Sequence, residues 1–303
     1  MSTTINKYCY ITCRYLPPFF EHKHRIVYSQ HETVNNIDDI DHPSVRETMR
    51  FFNVNKGLEI HHDGDLPAMS GLGSSSAFTV GLINALSTLN GKPKTKRETA
   101  MNAIHIEQNL IKENVGSQDQ TAASFGGFNR IDFGGTREIS VKPISLSPAR
   151  LKSFQNHLLL CFSGLSRNAS KIAEKQIKNI GDRSIELKLM HELVNEGEAI
   201  LTNSKRGLDE FGKLLNEGWE IKKSLSSKIS NLYINGIYEA GRQAGALGGK
   251  LLGAGGGGFI LFFAKPEIHE KIKRRLKNLL FVPFRFDYLG SRIIYTGNDF
   301  EKF

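Results

Sequence analysis

Two glycines and a run of serines in Gly71-Leu-Gly-Ser-Ser-Ser-Ala77 stand directly before an apolar stretch of helical period, Ala77, Val80, Gly81, Asn84, Ala85 and Leu89. A helix that begins at these serines offers unpaired backbone N–H groups and the positive end of its dipole. The glycines let a ligand approach the backbone, and the hydroxyls add donors and possible metal ligands. Together they make an anion site, with phosphate as the first candidate. Serine is also a favoured helix cap, so capping is the competing explanation. One cap uses one serine, however, and here three follow Gly-x-Gly. The better-known phosphate loops do not match. No Lys follows the serines, Ser76 replaces the last glycine of a dinucleotide fingerprint, and the region Lys92 to Lys96 is basic where an acid would grip a ribose.

Two carboxylates downstream have chemistry open to them. Glu107 lies on the apolar stripe Ala100, Ala103, Ile104, Ile106, Leu110 and Ile111, where an unpaired carboxylate is costly. Either a buried basic partner or a hard cation such as Mg2+ satisfies it, and the helix leaves both open. Asp119, in Gln118-Asp-Gln120, is either a cap for the short apolar segment that follows or a carboxylate that orients or deprotonates a substrate hydroxyl. Arg167 follows a hydrophobic strand and suits a substrate anion or an ordinary surface position. The run Gly248-Gly-Lys-Leu-Leu-Gly-Ala-Gly-Gly-Gly-Gly-Phe259 implies tight backbone packing or approach to a ligand. It is no flexible linker, because Leu251, Leu252 and Phe259 interrupt and bound it. Lys250 within it suits neutralisation of helix carbonyls better than catalysis.

The elements that must hold these residues read as a mixture of strands and helices. Strands are expected at 6–14, 25–29, 57–62, 128–133, 139–144, 158–163, 259–264, 281–288 and 291–296, and helices at 44–52, from Ala77, and at 95–112. Further helices are expected at about 169–179, 183–203, 208–225 and 227–247, with a basic amphipathic helix at 267–279. Ser145-Leu-Ser-Pro148 is a natural boundary between two lobes, 1–147 and 148–303. The strand–helix–strand–strand order near the end suggests a compact α+β lobe.

Composition narrows the class. The chain has 303 residues, 39% hydrophobic and 23% charged, as expected of a globular protein with a sizeable core. No apolar run reaches membrane-spanning length, and Met1 to Tyr8 lacks the pattern of a signal peptide, so a cytoplasmic location and no membrane partner are expected. Cys9 and Cys13 have no second pair to complete a zinc site, and Cys161 reads as a buried strand residue. The net charge of +9 suits an anionic small substrate. Nucleic acid is disfavoured, because no recognition signature accompanies the basic clusters at 92–97 and 271–277.

Pro67-x-x-x-Gly-Leu-Gly-Ser-Ser-Ser-Ala77, joined in order to the glycine run at 248–258, resembles the GHMP kinases, named for galactokinase, homoserine kinase, mevalonate kinase and phosphomevalonate kinase. Asp65-Leu-Pro-Ala68, Glu113-Asn-Val-Gly-Ser-Gln-Asp-Gln120, Gly126-Gly-Phe-Asn129 and Gly164-Leu-Ser-Arg167 resemble, within that family, the bacterial D-glycero-D-manno-heptose 7-phosphate kinases. The resemblance covers essentially the whole chain. It implies an α+β, two-lobed GHMP kinase fold, with a left-handed βαβ crossover in the amino-terminal lobe and a ferredoxin-like carboxy-terminal lobe. It implies an ATP-dependent sugar kinase with Mg2+ as cofactor. Gly71, Leu72, Gly73, Ser74, Ser75, Ser76 and Ala77 would then cradle the ATP phosphates, and Ser75 and Glu107 would hold the metal. Asp119 would accept or orient the attacking hydroxyl. Gly255 and Gly256 would brace the phosphate loop, and Arg167 would contact the sugar or its phosphate. The implied substrate is a sugar phosphate, heptose 7-phosphate before a fucose-type sugar, with an inactive nucleotide-binding remnant as the non-catalytic alternative. Relatives of this type carry a strand and a Gly-Gly-Gly-Thr-Asp-like loop ahead of the equivalent of Ser2 to Tyr8. Their absence here leads to the expectation of a shortened or misassigned start and of a sugar half lacking its usual first wall.

Overall fold

The computed structural model describes residues 1–134, 138–165, 173–174 and 183–297. In chain order the elements are β1 (Ser2–Ile5), β2 (Cys9–Tyr15), β3 (His24–Val27), β4 (His31–Val34), α1 (Pro43–Phe51), β5 (Leu58–Gly64), α2 (Ser74–Leu89) and α3 (Lys96–His105). A π turn, Ile106–Leu110, then precedes α4 (Gln118–Phe125), β6 (Phe128–Phe133), β7 (Ile139–Pro143), α5 (Pro148–Asn156) and β8 (Leu158–Phe162). The chain continues through α6 (Ser184–Thr202), α7 (Leu208–Ser224), α8 (Leu232–Gln243), β9 (Gly248–Leu251), β10 (Phe259–Phe263), α9 (His269–Arg275), β11 (Leu280–Val282) and β12 (Phe286–Asp287). These form two compact units. One comprises Thr3–Pro67, Gly73–Gly127 and the chain from Asp287; the other comprises Met1–Ser2, Ala68–Leu72 and Phe128–Phe286.

The first unit is built on a sheet of order β2-β5-β3-β4. Strands β3 and β5 run parallel, with Ile26 opposite Ile60, and the other pairs are antiparallel. Alternation along β2 turns Cys9, Ile11, Cys13 and Tyr15 inward, where they join the core of Ile26, Ile60, Val45, Met49, Phe78 and Leu82. Helix α2 is apolar on more than one side. Phe78, Leu82 and Leu86 face this core, while Val80 and Ile83 pack with Ala103 and Ile106 in a second one. Burial of each such side chain contributes roughly 1.5–3 kcal/mol, so α2 is held from both sides and its first turn is fixed in place.

The second unit contains the antiparallel sheet β11-β8-β10-β9. Its core joins Cys161, Trp219, Ile234, Tyr238, Leu251, Ile260 and Phe262. Strand β9 lies inside the glycine run, which periodicity alone does not present as a strand. The glycines are there because backbones touch: a Cβ on Gly248 would lie 1.9 Å from the Gly212 carbonyl oxygen of α7.

Several sequence expectations change. The helix expected at 227–247 starts at Leu232, because the Asn231 side chain accepts the Ile234 N–H as its cap. The regular helix expected at 95–112 becomes α3 followed by the π turn. Two short strands replace the one expected at 281–288. No strand forms at 291–296; the Ser291 N–H bonds instead to the Ala123 carbonyl at the end of α4. The helix expected at 169–179 falls almost wholly outside the described residues.

Candidate functional site

The N-cap of α2 is Gly73, in the left-handed region at φ 71°, and no side chain caps the helix. None of the three serines is therefore a cap, and the capping explanation of the motif fails. Gly73 accepts the first intrahelical bond, from the Ala77 N–H at 2.8 Å. Ser75 is exposed, and its carbonyl accepts the Thr79 hydroxyl at 3.3 Å. Ser76 is buried and donates its hydroxyl to Glu107 Oε2 at 2.9 Å. The first turn of α2 thus presents open N–H groups beside exposed hydroxyl, the arrangement that suits an anion.

Glu107 is 1% exposed and sits on the π turn, closed by the Ile111 N–H to the Ile106 carbonyl at 2.8 Å. Such turns interrupt helices most often at functional positions. The Gln120 side-chain amide joins Ser76 in donating to Glu107 Oε2. Glu107 Oε1 is buried without a hydrogen-bond partner among the described residues. Burial pushes the Glu107 carboxyl above its ordinary range, against the Ser76 hydroxyl and the Gln120 amide, which hold it down. The basic-partner explanation for Glu107 therefore finds no such partner in the described structure. An orphaned, desolvated carboxylate oxygen fits a hard cation. No group of three or more His, Cys, Asp or Glu suited to a metal occurs among the described residues. Mg2+ does not need one, since it takes one or two carboxylates and completes its shell with phosphate oxygens and water.

Asp119 lies in the first turn of α4, with the Gln118 amide donating to Oδ1 at 3.1 Å. Its carboxylate rests on the bare Cα of Gly73. A Cβ there would lie 3.1 Å from Asp119 Cγ and 3.3 Å from Oδ2. Gly73 is glycine for two reasons, its positive φ and this approach. The phosphate-loop candidate and the hydroxyl-activating candidate, far apart in sequence, are thus neighbours in one unit.

The front of the same motif, Ser70 to Leu72, belongs to the other unit, where the glycine run supports it. The Ser70 carbonyl accepts the Phe259 N–H at 3.2 Å, and a Cβ on Gly258 would lie 2.1 Å from that carbonyl oxygen. Gly71, at φ 82°, abuts Leu252 and Gly253. Lys222 Nζ fixes Gly253 by donating to its carbonyl at 2.6 Å. Contact with the loop is made by Gly253 and Gly258. Gly255 and Gly256 pack on Ile229 instead, the Gly256 N–H donating to the Ile229 carbonyl at 2.9 Å. Arg167 lies outside the described residues. Gln120, Ser70 and Lys222 escape the sequence reading, since a side-chain amide, a backbone carbonyl and an ammonium that act through neighbours leave no spacing pattern.

The family profile of GHMP kinases N terminal domain matches residues 43–127, and that of GHMP kinases C terminal matches 198–280. D-glycero-alpha-D-manno-heptose 7-phosphate kinase of Campylobacter jejuni is 34% identical over 223 residues, which are 73% of this chain and 65% of that protein. The bifunctional fucokinase/GDP-fucose pyrophosphorylase of Arabidopsis thaliana is 29% identical over 228 residues, 73% of this chain and 21% of that protein. The chain thus spans less than two thirds of the length of either relative. The solved structure of a D-glycero-D-manno-heptose 1-phosphate kinase from Bacteroides thetaiotaomicron superimposes with a TM-score of 0.70 at 26% identity, covering 97% of this chain and 90% of that one. With both domain profiles matched in order and a shared fold over nearly its whole length, the chain belongs to the GHMP kinase family.

Proposed function

We propose that this chain is an ATP-dependent kinase that phosphorylates the anomeric hydroxyl of a sugar phosphate, D-glycero-D-manno-heptose 7-phosphate, in the making of nucleotide-activated heptose. The observation that carries this reading is the seating of Asp119 on Gly73, which joins a hydroxyl-activating carboxylate to the start of a phosphate-binding helix. The Campylobacter and Bacteroides kinases, named for heptose phosphates, support the substrate. The open N–H groups of α2 and the hydroxyls of Ser74 and Ser75 receive the ATP phosphates. Ser75 and Glu107 are the residues that would hold Mg2+, which supplies neutralisation of phosphate charge. Asp119 takes the proton of the sugar hydroxyl as that oxygen bonds to the γ-phosphorus; the bond from phosphorus to the bridging oxygen breaks, and ADP leaves with the electron pair. Residues 1–147 form the amino-terminal domain in this reading and 148–303 the carboxy-terminal one, at work in the cytoplasm. Among the described residues no helix is long and apolar enough to cross a membrane.

A second reading, a fucose-type kinase, is favoured by the match to the Arabidopsis fucokinase. ADP release measured with heptose 7-phosphate, with fucose and with no sugar separates the two. The first reading expects turnover with heptose 7-phosphate alone, and loss of at least about 100-fold in kcat in Asp119→Asn with ATP still bound. Turnover with fucose alone transfers the assignment to the second reading. No turnover with either sugar, or an Asp119→Asn variant as fast as the parent, overturns the catalytic assignment.

A further inference from the structure

Helix α4 is short, and its far end is closed by a segment that follows β12. The Ala123 carbonyl accepts the Ser291 N–H at 2.8 Å, and the Phe125 carbonyl accepts Lys96 Nζ at 2.7 Å. These are last-turn carbonyls, which a helix cannot satisfy by itself. Lys96 Nζ also donates to the Leu289 carbonyl at 2.9 Å, so one ammonium holds helix and segment together. The backbones interlock where Gly126 meets Gly290: a Cβ on Gly126 would lie 2.1 Å from the Gly290 nitrogen, and one on Gly290 would lie 2.5 Å from the Ser124 carbonyl oxygen. Both glycines have positive φ, 69° and 67°.

The segment is pinned at both ends. At one end the Asp287 carbonyl accepts the Gly127 N–H at 2.9 Å and the Thr4 hydroxyl at 2.7 Å, and its carboxylate accepts the Tyr8 hydroxyl at 2.9 Å. At the other, Ser291 Oγ accepts the Asn84 amide of α2 at 3.1 Å. Helices α2 and α4 are therefore tied together twice. Near their N-termini Gly73 meets Asp119; farther along, Ser291 bonds to both helices.

We propose that residues 287–291 are a strap that positions Asp119 against the phosphate loop. Lys96, Ser291 and Gly290 act as positioning residues through the register of α4 on α2. This inference rests on the kinase reading of Asp119 given above. A misplacement of about 1 Å in a reacting group costs up to roughly 100-fold in rate, so a slack strap is felt in turnover before it is felt in nucleotide binding.

The test compares Lys96→Met and Ser291→Pro, which delete the ammonium and the N–H, with Lys96→Arg, which keeps a cation. Each is made in the parent and in Asp119→Asn, and kcat and the KM for ATP are measured with heptose 7-phosphate. Lys96→Met and Ser291→Pro are expected to lower kcat about tenfold with the KM for ATP within about twofold, and Lys96→Arg to recover most of the loss. In Asp119→Asn the same changes are expected to cost nothing further, because the group they position is gone. Parent-like kcat in both variants overturns the proposal, and so does the same fold-loss with or without Asp119. If Asp119→Asn alone is as fast as the parent, the kinase reading of Asp119 fails, and strap effects that persist there assign the strap to a purely structural role. Should Lys96→Met and Ser291→Pro not fold, Asn84→Ala removes one side-chain bond to the strap and carries the same comparison, with a smaller expected loss.

Discussion

Glu107, in the reading proposed above, is a side chain costly to the fold and useful to the chemistry. Its carboxylate is buried with one oxygen bonded by Ser76 and Gln120 and the other without a partner. Because burial raises its folded pKa above the unfolded value, the charged form destabilises the protein. That penalty is absent below the unfolded carboxyl pKa, where both states are protonated, and grows as pH rises through the folded pKa. The thermal midpoint of Glu107→Gln relative to the parent is expected to be higher at pH 8 than at pH 5, as the penalty on the buried charge appears in the parent alone. The same variant is expected to lose most of the midpoint gain that ATP with Mg2+ gives the parent, and at least about 100-fold in kcat. A variant that retains the full gain from ATP with Mg2+ contradicts the ligand role. With the proposed ligand role, stability and activity pull in opposite directions at this residue, as they do where a site holds an unsatisfied group.

At the scale of elements, what the sequence made legible was whatever has a period or a punctuation mark. Helix α2 was legible from its apolar spacing, and its uncapped start from the glycines and serines that precede it. The π turn was not, because Ala103, Ile106 and Leu110 fit a regular helix equally well; only tertiary packing around Glu107 selects the wider turn. Strand β9 was hidden because its glycines serve contacts with α7 and β10, which no local pattern reports. The strap was hidden for the same reason: Ser291 to Thr296 alternate as a strand does, yet the Ser291 N–H is claimed by α4. Glycines illustrate the point with a measurable contrast. Gly258 has φ +106°, and its N–H and carbonyl are both engaged by Ser163, at 3.2 and 2.9 Å. Unable to shift, Gly258→Ala drives its new carbon into the Ser70 carbonyl, and a loss of at least about 2 kcal/mol in urea unfolding is expected, with weakened ATP binding. Gly236, in α8 with open space around its Cα, is the control: Gly236→Ala is expected to be neutral or to stabilise by up to roughly 1 kcal/mol. Equal effects at the two positions contradict the bracing role of Gly258.

On the scale of the whole molecule, the basic balance suits an anionic substrate but leaves the chain vulnerable to acid. The formal charge is +9 with its ten histidines neutral, so every histidine that protonates adds to self-repulsion. The fold also resists that protonation locally. His24, buried at the start of β3 beside β5 with Nδ1 accepting the Leu58 N–H at 3.3 Å, is held down to about 4 by desolvation and by the neighbouring Lys23 charge. Burial lowers His42, His62 and His269 in the same direction. A histidine whose folded pKa lies below its unfolded value favours the fold only while neutral. Its contribution is intact above the unfolded value of about 6.5 and is lost as pH falls through about 4, a change of about 3 kcal/mol for His24. Glu59 follows in a lower window. Burial raises its carboxyl, but His61, Arg25 and Arg14 outweigh that and hold it at about 2, so its contribution is lost only as pH falls from the ordinary carboxyl range toward 2. The first loss on acidification is therefore set by histidine. His24→Asn keeps an acceptor where Nδ1 stands and cannot protonate. Urea midpoints at pH 7, 5.5 and 4.5 are expected to decline less steeply in this variant than in the parent, with the two curves closest at pH 7. A parallel decline would show that the buried histidine does not govern the acid limb, leaving overall charge repulsion as its cause.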